Sequence, residues 1–171
     1  SLGRAHNALG DKTAMKKAYE EAGELLSKVT ASGEGLKQIR INQGRVYLEL
    51  AILLYQTQRT AESKITFQKS IAFLQPIVAV NPNNLAANFN LALAYLYSGN
   101  VCSQQGEFKS AISLLKQSER LWQALVRKAA STPYYRYYWA VSLHDLAVAG
   151  RAEGSQRIFA ITRLERAVQQ L

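Results

Sequence analysis

Gly44-Arg45-Val46-Tyr47 decides how this chain is read, because it returns as Ala92-Leu93-Ala94-Tyr95 after 48 residues and as Val141-Ser142-Leu143-His144 after a further 49. A second phrase follows each of these at a fixed distance. Ser63, Phe67 and Ser70 become Ala111, Leu115 and Ser118, and then Ala160, Leu164 and Ala167. Small residues set three or four positions from large ones are the contact set of a helical hairpin stacked on copies of itself. One such hairpin cannot bury its apolar face alone, whereas several in a row can, so a period of this length predicts a solenoid. The expected fold is all-α, an α-solenoid of about four antiparallel hairpins in one repeat domain covering 1–171, with units near 1–33, 34–82, 83–131 and 132–171.

Helical periodicity runs through the whole chain, and no stretch alternates as a strand would. The first hairpin reads as Leu2–Leu9, a turn at Gly10-Asp11, then Ala14–Val29, because Gly10 suits a left-handed helix end. Ala31-Ser32-Gly33-Glu34-Gly35 reads as a loop. The second hairpin runs from about Leu36 to Thr57 and from Thr60 to Val80. Asn81-Pro82-Asn83-Asn84 breaks it and supplies an N-cap. The third covers Leu85–Gln105 and Glu107–Ala130, turning at Gln105-Gly106. Thr132-Pro133 opens the fourth, about Pro133–Arg151 and Ser155–Leu171, with Pro133 in the first turn where its missing N–H costs nothing. Two places strain this scheme. Pro76 removes a donor inside a helix and predicts a kink or an early stop. Gly99-Asn100 falls inside the next helix, where a stop at Gly99 is the alternative to a continuous helix.

Composition narrows the function classes. About half of the 171 residues are apolar and 19% are charged, which argues for a packed domain over disorder. No apolar run reaches the 18 or so residues of a membrane span, so no membrane association is expected. Cys102 is the only cysteine, so no internal disulfide is possible; a reducing, cytoplasmic setting is expected and the thiol reads as a small core residue. The start at Ser1-Leu2-Gly3-Arg4 and the helical pattern running to Leu171 read as a piece of a longer protein. The net charge of +9 is uneven: residues 108–171 hold 10 basic and 4 acidic side chains. That bias would attract an acidic peptide, nucleic acid or anionic lipid, although a solvated basic helix surface explains it more simply.

Chemistry-bearing constellations are scarce. There is no phosphate-cradling Gly-x-x-x-x-Gly-Lys run and no Gly-x-Ser-x-Gly elbow. Gly33-Glu34-Gly35 lacks the third glycine of a dinucleotide site. His6 and His144 lie far apart, and His144 beside Asp145 reads as a packing histidine next to a surface carboxylate. No catalytic residue, metal site or cofactor is expected.

The small-x-x-Tyr and Ala-x-x-x-Phe-x-x-Ala spacings resemble the tetratricopeptide repeat. The third unit carries the likeness in Leu91, Ala92 and Tyr95, then Gly106-Glu107-Phe108, Ala111, Leu115 and Ser118. The second carries it in Gly44, Tyr47, Ser63, Phe67 and Ser70, and the first in Leu2, Gly3, His6, Gly10, Tyr19 and Ala22. A standard unit is about 34 residues. The 48 found here adds a heptad, two helical turns, to each helix and keeps the same face inward. A loop insertion has no reason to be a heptad, so the helix is expected to run through Gly99. Phrases such as Thr57-Gln58-Arg59-Thr60-Ala61-Glu62 and Pro133-Tyr134-Tyr135-Arg136 also resemble repeats that accompany bacterial, planctomycete-type serine/threonine kinases. No kinase motif is present in the chain itself.

The tetratricopeptide resemblance implies a right-handed superhelix, a non-catalytic role in protein interaction, and a concave groove lined by the first helix of each pair. Carried across residue by residue, it places Arg4, Asn7, Asn42, Arg45, Phe89, Asn90, Tyr97, Arg136 and Trp139 on or near that groove. The implied partner is a protein or peptide, an acidic one among the candidates; nucleic-acid binding through the basic C-terminal third is the least favoured alternative. The kinase resemblance implies instead a regulatory or spacer segment of a signalling enzyme. Tyr134-Tyr135-Arg136-Tyr137-Tyr138-Trp139 cannot place all its rings on one side of a helix. Tyr135, Tyr138 and Trp139 are expected to fill the joint with the third hairpin; the alternative is an aromatic-basic hot spot for a peptide or for stacked single-stranded nucleic acid.

Overall fold

A computed structural model describes residues 2–28 and 33–154, together with 165, 166 and 169. The described regular structure is entirely helical: α1 (Leu2–Ser27), α2 (Gly33–Gln56), α3 (Thr60–Val80), α4 (Leu85–Gln104), α5 (Phe108–Lys128) and α6 (Pro133–Ala152). Each helix packs on the next in sequence, and α4 also touches both α2 and α6. This is an all-α, solenoid-like array, with α2/α3 and α4/α5 as its two complete hairpins. The expected second helix of the fourth hairpin, Ser155–Leu171, lies outside the described residues apart from the three positions named.

The 48-residue step is visible in the bonds. Ser70 Oγ donates to the Gly44 carbonyl at 2.7 Å, and Ser118 Oγ donates to the Ala92 carbonyl at 2.8 Å. All four residues are buried. The small residue on the first helix of each pair therefore lets the second come close, and the serine hydroxyl ties the two backbones together. Gly44 and Gly99 show how close. A Cβ on Gly44 would collide with the Leu74 side chain, and one on Gly99 would sit 2.7 Å from Leu115 Cγ. The hairpin ends repeat as well. Gln58, Gly106 and Gly154, each 48 residues from the next, all adopt left-handed backbone with φ of 61°, 75° and 75°. Only the first is not glycine, and an L side chain there costs roughly 1–2 kcal/mol. Gln58→Gly is therefore expected to stabilise the fold by about 1 kcal/mol in thermal or urea unfolding. A loss of stability would show that the Gln58 side chain contributes more than its backbone costs.

Two sequence expectations change, and one left open is decided. First, the chain does not turn at Gly10-Asp11: α1 is one helix from Leu2 to Ser27, so the opening unit is not a hairpin. A lone glycine costs a helix interior only about 1 kcal/mol, which continuous packing can absorb. Second, the final step on the first helix of the pair is 48, not 49. Ala140, not Val141, matches Ala92; Leu143 is fully buried where Tyr95 is buried, and His144 is exposed. His144 thus has no packing role, and its Nδ1 pairs with Asp145 at 3.0 Å on the surface. Third, of the two outcomes open at Pro76 the early stop does not occur: α3 keeps its expected bounds and continues to Val80. Pro76 and Ala72, whose carbonyl loses its donor, both lie on the exposed side, where water can take the bond.

Other expectations stand. α4 passes through Gly99-Asn100 without a break. Asn84 caps α4, its side chain accepting from the Ala87 N–H at 2.9 Å. Cys102 is buried and its thiol is pushed up, chiefly by burial, which keeps it protonated and unreactive. No helix among the described residues is long and apolar enough to cross a membrane.

Between hairpins the strongest polar tie is Lys64 to Glu107, where Nζ reaches both carboxylate oxygens at 2.6 Å. The hydrogen bond between them holds the Glu107 carboxyl below the usual carboxylate range and raises Lys64. A depressed carboxyl contributes stability above its unfolded pKa and loses it as pH falls through the folded value. Lys64→Met should therefore lower the melting temperature more near pH 7 than near pH 3, the loss vanishing only once pH is below the depressed Glu107 value. An equal loss at both pH values would point to packing by the lysine stem instead.

Candidate functional site

Side-by-side packing of α2, α4 and α6 makes one face from the first helix of each pair. On it lies an open cleft of about 630 Å³, lined by Arg45 and Glu49 from α2, Leu85, Ala86, Phe89 and Asn90 from α4, and Tyr134 and Tyr135 from α6. Arg45 and Glu49 are one helical turn apart, so they form one wall. Tyr134 and Tyr135 form the other, and α4 is the floor. A charged wall thus faces an aromatic one.

The aromatic wall is held from beneath. Trp122 of α5 is fully buried and meets Phe89 edge-on at 5.5 Å between centroids, and it lies 6.2 Å from Tyr135. Tyr138 stacks on the same indole at 5.2 Å. Phe89 in turn stacks against Tyr134 at 5.8 Å. Centroid separations of this size are those at which ring pairs attract. The Trp122 indole N–H has no hydrogen-bond partner among the described residues, so its anchoring is by ring contact alone.

Two polar groups of the cleft are unspent. Asn90 is 7% exposed, yet among the described residues nothing pairs with its carboxamide. Its nitrogen and oxygen are not sealed off, so the carboxamide opens into the cleft and stays accessible to water or a ligand. Arg45 is exposed and, among the described residues, its guanidinium is also unpaired, even with Glu49 a turn away. The other furrows differ. Between α3 and α5, over α4, a furrow of about 610 Å³ carries no aromatic side chain, and its one carboxylate, Glu107, is bonded to Lys64 with Lys109 beside them. Its counterpart over α2 is lined by Leu50, Leu54, Glu62 and Ile65, each 48 residues before Ser98, Cys102, Ser110 and Ser113 of the first. Those two are the joints of the repeat.

Of the residues expected on the groove, the structure brings Arg45, Phe89 and Asn90 into the cleft. Tyr97 lies two turns beyond Phe89 on α4, half-buried, stacked on Phe67 at 6.1 Å. Asn42 sits a turn before Arg45 and accepts from Gln38 at 3.3 Å. Arg136 is exposed and spent on the Ala130 carbonyl at 2.7 Å. Trp139 belongs to the α5–α6 joint: it is buried and its Nε1 reaches Glu119 at 3.4 Å. With the step at 48, Trp139 matches the buried Leu91 and not Asn90, and that shift accounts for its misplacement. The side chains of Arg4 and Asn7 lie outside the described residues. Glu49, Tyr134 and Tyr135 complete the cleft and were not among the expected groove residues. Glu49 was accessible by its four-residue spacing from Arg45, and the tyrosines by their place in the aromatic run, whose Tyr135, Tyr138 and Trp139 do fill the joint with the third hairpin.

No protein-family model matches this chain, and no curated protein matches it.

Proposed function

We propose that the chain is a non-catalytic, tetratricopeptide-like interaction module that holds a peptide or partner domain along the face of α2, α4 and α6. The observation that carries this reading is the pair of unspent groups, Arg45 and the largely buried Asn90, set opposite a rigid aromatic wall. A guanidinium supplies two parallel donors to a carboxylate, and a carboxamide can meet a peptide bond with both a donor and an acceptor. Rings anchored by Trp122 offer apolar contact at little entropic cost, which is where interfaces concentrate their energy. The 48-residue spacing of the serine-to-carbonyl bonds supports the repeat-module part of the reading.

The test is a peptide-display selection on the wild-type chain, followed by affinity measurement on the Arg45→Ala plus Asn90→Ala double variant. Selected peptides should lose about tenfold or more in affinity, since each hydrogen bond to a charged group is worth about 1.5–3 kcal/mol. Peptides that bind the double variant as well as the wild type would remove this cleft as the site.

A further inference from the structure

α1 occupies the place of a second helix in the repeat. One 48-residue step carries Gly23 and Tyr47 onto Ile71 and Tyr95. Gly23 is buried, and a Cβ on it would lie 3.4 Å from Tyr47 Cζ; Ile71 packs against the cluster that holds Tyr95. α1 therefore lies on α2 as α3 lies on α4. α3 and α5 each pack on two helices, the first of their own pair and the first of the next. Among the described residues α1 packs on α2 alone.

The side left open on α1 is the one that seals a hairpin. Ser63, Phe67, Ser70 and Leu74 of α3 are fully buried, and so are Ala111, Leu115, Ser118 and Trp122 of α5, one step later. The same four positions on α1 are Met15, Tyr19, Ala22 and Leu26. Met15 is 45% exposed, and the other three are only half-buried. Leu25 is 66% exposed, whereas its match Phe73 stacks on Tyr47 of α2 at 5.5 Å. Ala18 is exposed as well. These six residues recur at three- and four-residue intervals and form one apolar stripe along the helix.

The partners of the equivalent stripes fix what fits this one. Each first helix carries a small residue, a large one three positions on and a second small one four further. These are Gly44, Tyr47 and Ala51 on α2, Ala92, Tyr95 and Gly99 on α4, and Ala140, Leu143 and Ala147 on α6. Ser70 bonds to the Gly44 carbonyl and Ser63 Oγ donates to the Ala51 carbonyl at 3.0 Å, so the pair runs antiparallel. In that register a helix on α1 sets its first small residue over Ala22 and Leu26, its second over Met15 and Tyr19, and its large residue beside Leu25. The six small residues of α2, α4 and α6 are all buried, so a second copy of this chain has none to offer. The chain's own leading residues do not cover the stripe either. Gly10 matches the left-handed Gln58, Gly106 and Gly154, yet α1 runs straight through it and carries those residues on along its axis.

We propose that this stripe of α1 is the docking site for one amphipathic helix of a partner protein, bearing the small-x-x-large-x-x-x-small pattern and lying antiparallel to α1 as the first helix of its pair. The site is separate from the cleft and does not rest on the peptide-binding reading above. Close approach of two helices at small residues, with ridges set into grooves, is what the pattern provides.

The test uses the α2 sequence, Gly33–Gln56, as a dye-labelled peptide read by fluorescence anisotropy. Arg45→Lys in the peptide, joined to Glu49 by a lactam, holds it helical through two positions that are exposed in α2. The expected result is saturable binding to the wild-type chain, about tenfold weaker or more for Met15→Glu and for Leu25→Glu, since each sets a charge into the apolar contact. Both positions are exposed, so helical circular dichroism and melting temperature should not change. A peptide with Gly44→Leu and Ala51→Leu should also bind about tenfold weaker or more, because it cannot approach closely. No binding to the folded wild type, or binding unmoved by both glutamate variants, would overturn the site. Equal binding by the leucine peptide would overturn the assigned partner pattern.

Discussion

Trp122→Ala is expected to destabilise the fold by about 3–5 kcal/mol, the range for truncating a large buried aromatic. For a chain of this length that is a fall in melting temperature of roughly 10 °C. The size follows from its position. Trp122 is fully buried and meets Phe89, Tyr135 and Tyr138, so truncation leaves a cavity at the joint of three helices. The same cavity lies under the aromatic wall of the cleft, so ligand affinity should fall along with stability. Trp122→Phe keeps a ring and removes the unpaired indole N–H, and it should recover a large part of the loss. Denaturant unfolding of the two variants measures both effects. A change under about 1 kcal/mol for Trp122→Ala would mean that the indole is not packed as described.

Gly99→Val is the second large effect, at about 2–3 kcal/mol or more. A Cβ at this position would meet Leu115 Cγ at 2.7 Å and the Ala111 backbone carbonyl oxygen at 3.4 Å. Leu115 is fully buried and cannot swing clear, and the carbonyl belongs to α5 itself. The usual gain of about 1 kcal/mol on replacing a mid-helix glycine by alanine is therefore more than offset here, and a branched side chain makes the collision worse. Equilibrium unfolding of Gly99→Ala and Gly99→Val should show a graded loss.

What was legible in the sequence was the part that repeats. Gly44 and Ala92, with Ser70 and Ser118, recur because two long helices can touch only where both side chains are small. The unbroken α4 followed from the same reasoning, since an added heptad keeps the packing face in register. Where small residues were ambiguous, the reading slipped. Ala140 and Val141 both fit the small position, and choosing Val141 shifted α6 by one residue. On a helix one residue is about 100° of rotation, enough to carry Trp139 from core to groove and His144 from surface to core. Burial resolves it, because Leu143 has no exposure and His144 does. Gly10-Asp11 misled for another reason: it bears the local signature of a helix end, yet α1 continues through it, and one glycine costs a helix interior only about 1 kcal/mol.

The candidate site was half legible. Arg45, Phe89 and Asn90 came from matching one unit to another, and they do converge. The opposite wall could not be found that way, because Tyr134 and Tyr135 repeat nothing in the earlier units. Their place depends on the seat that Trp122 provides, which only the packing of α5 against α6 reveals.

The claim that the face of α2, α4 and α6 is the binding surface is tested most directly by an amide chemical-shift map. Isotope-labelled wild-type protein would be titrated with a display-selected peptide and the shifted resonances assigned. The predicted result is a contiguous set of shifts at Arg45, Glu49, Phe89, Asn90, Tyr134 and Tyr135. Shifts confined to the α3–α5 furrow, around Lys64, Gln68 and Ser110, would contradict it.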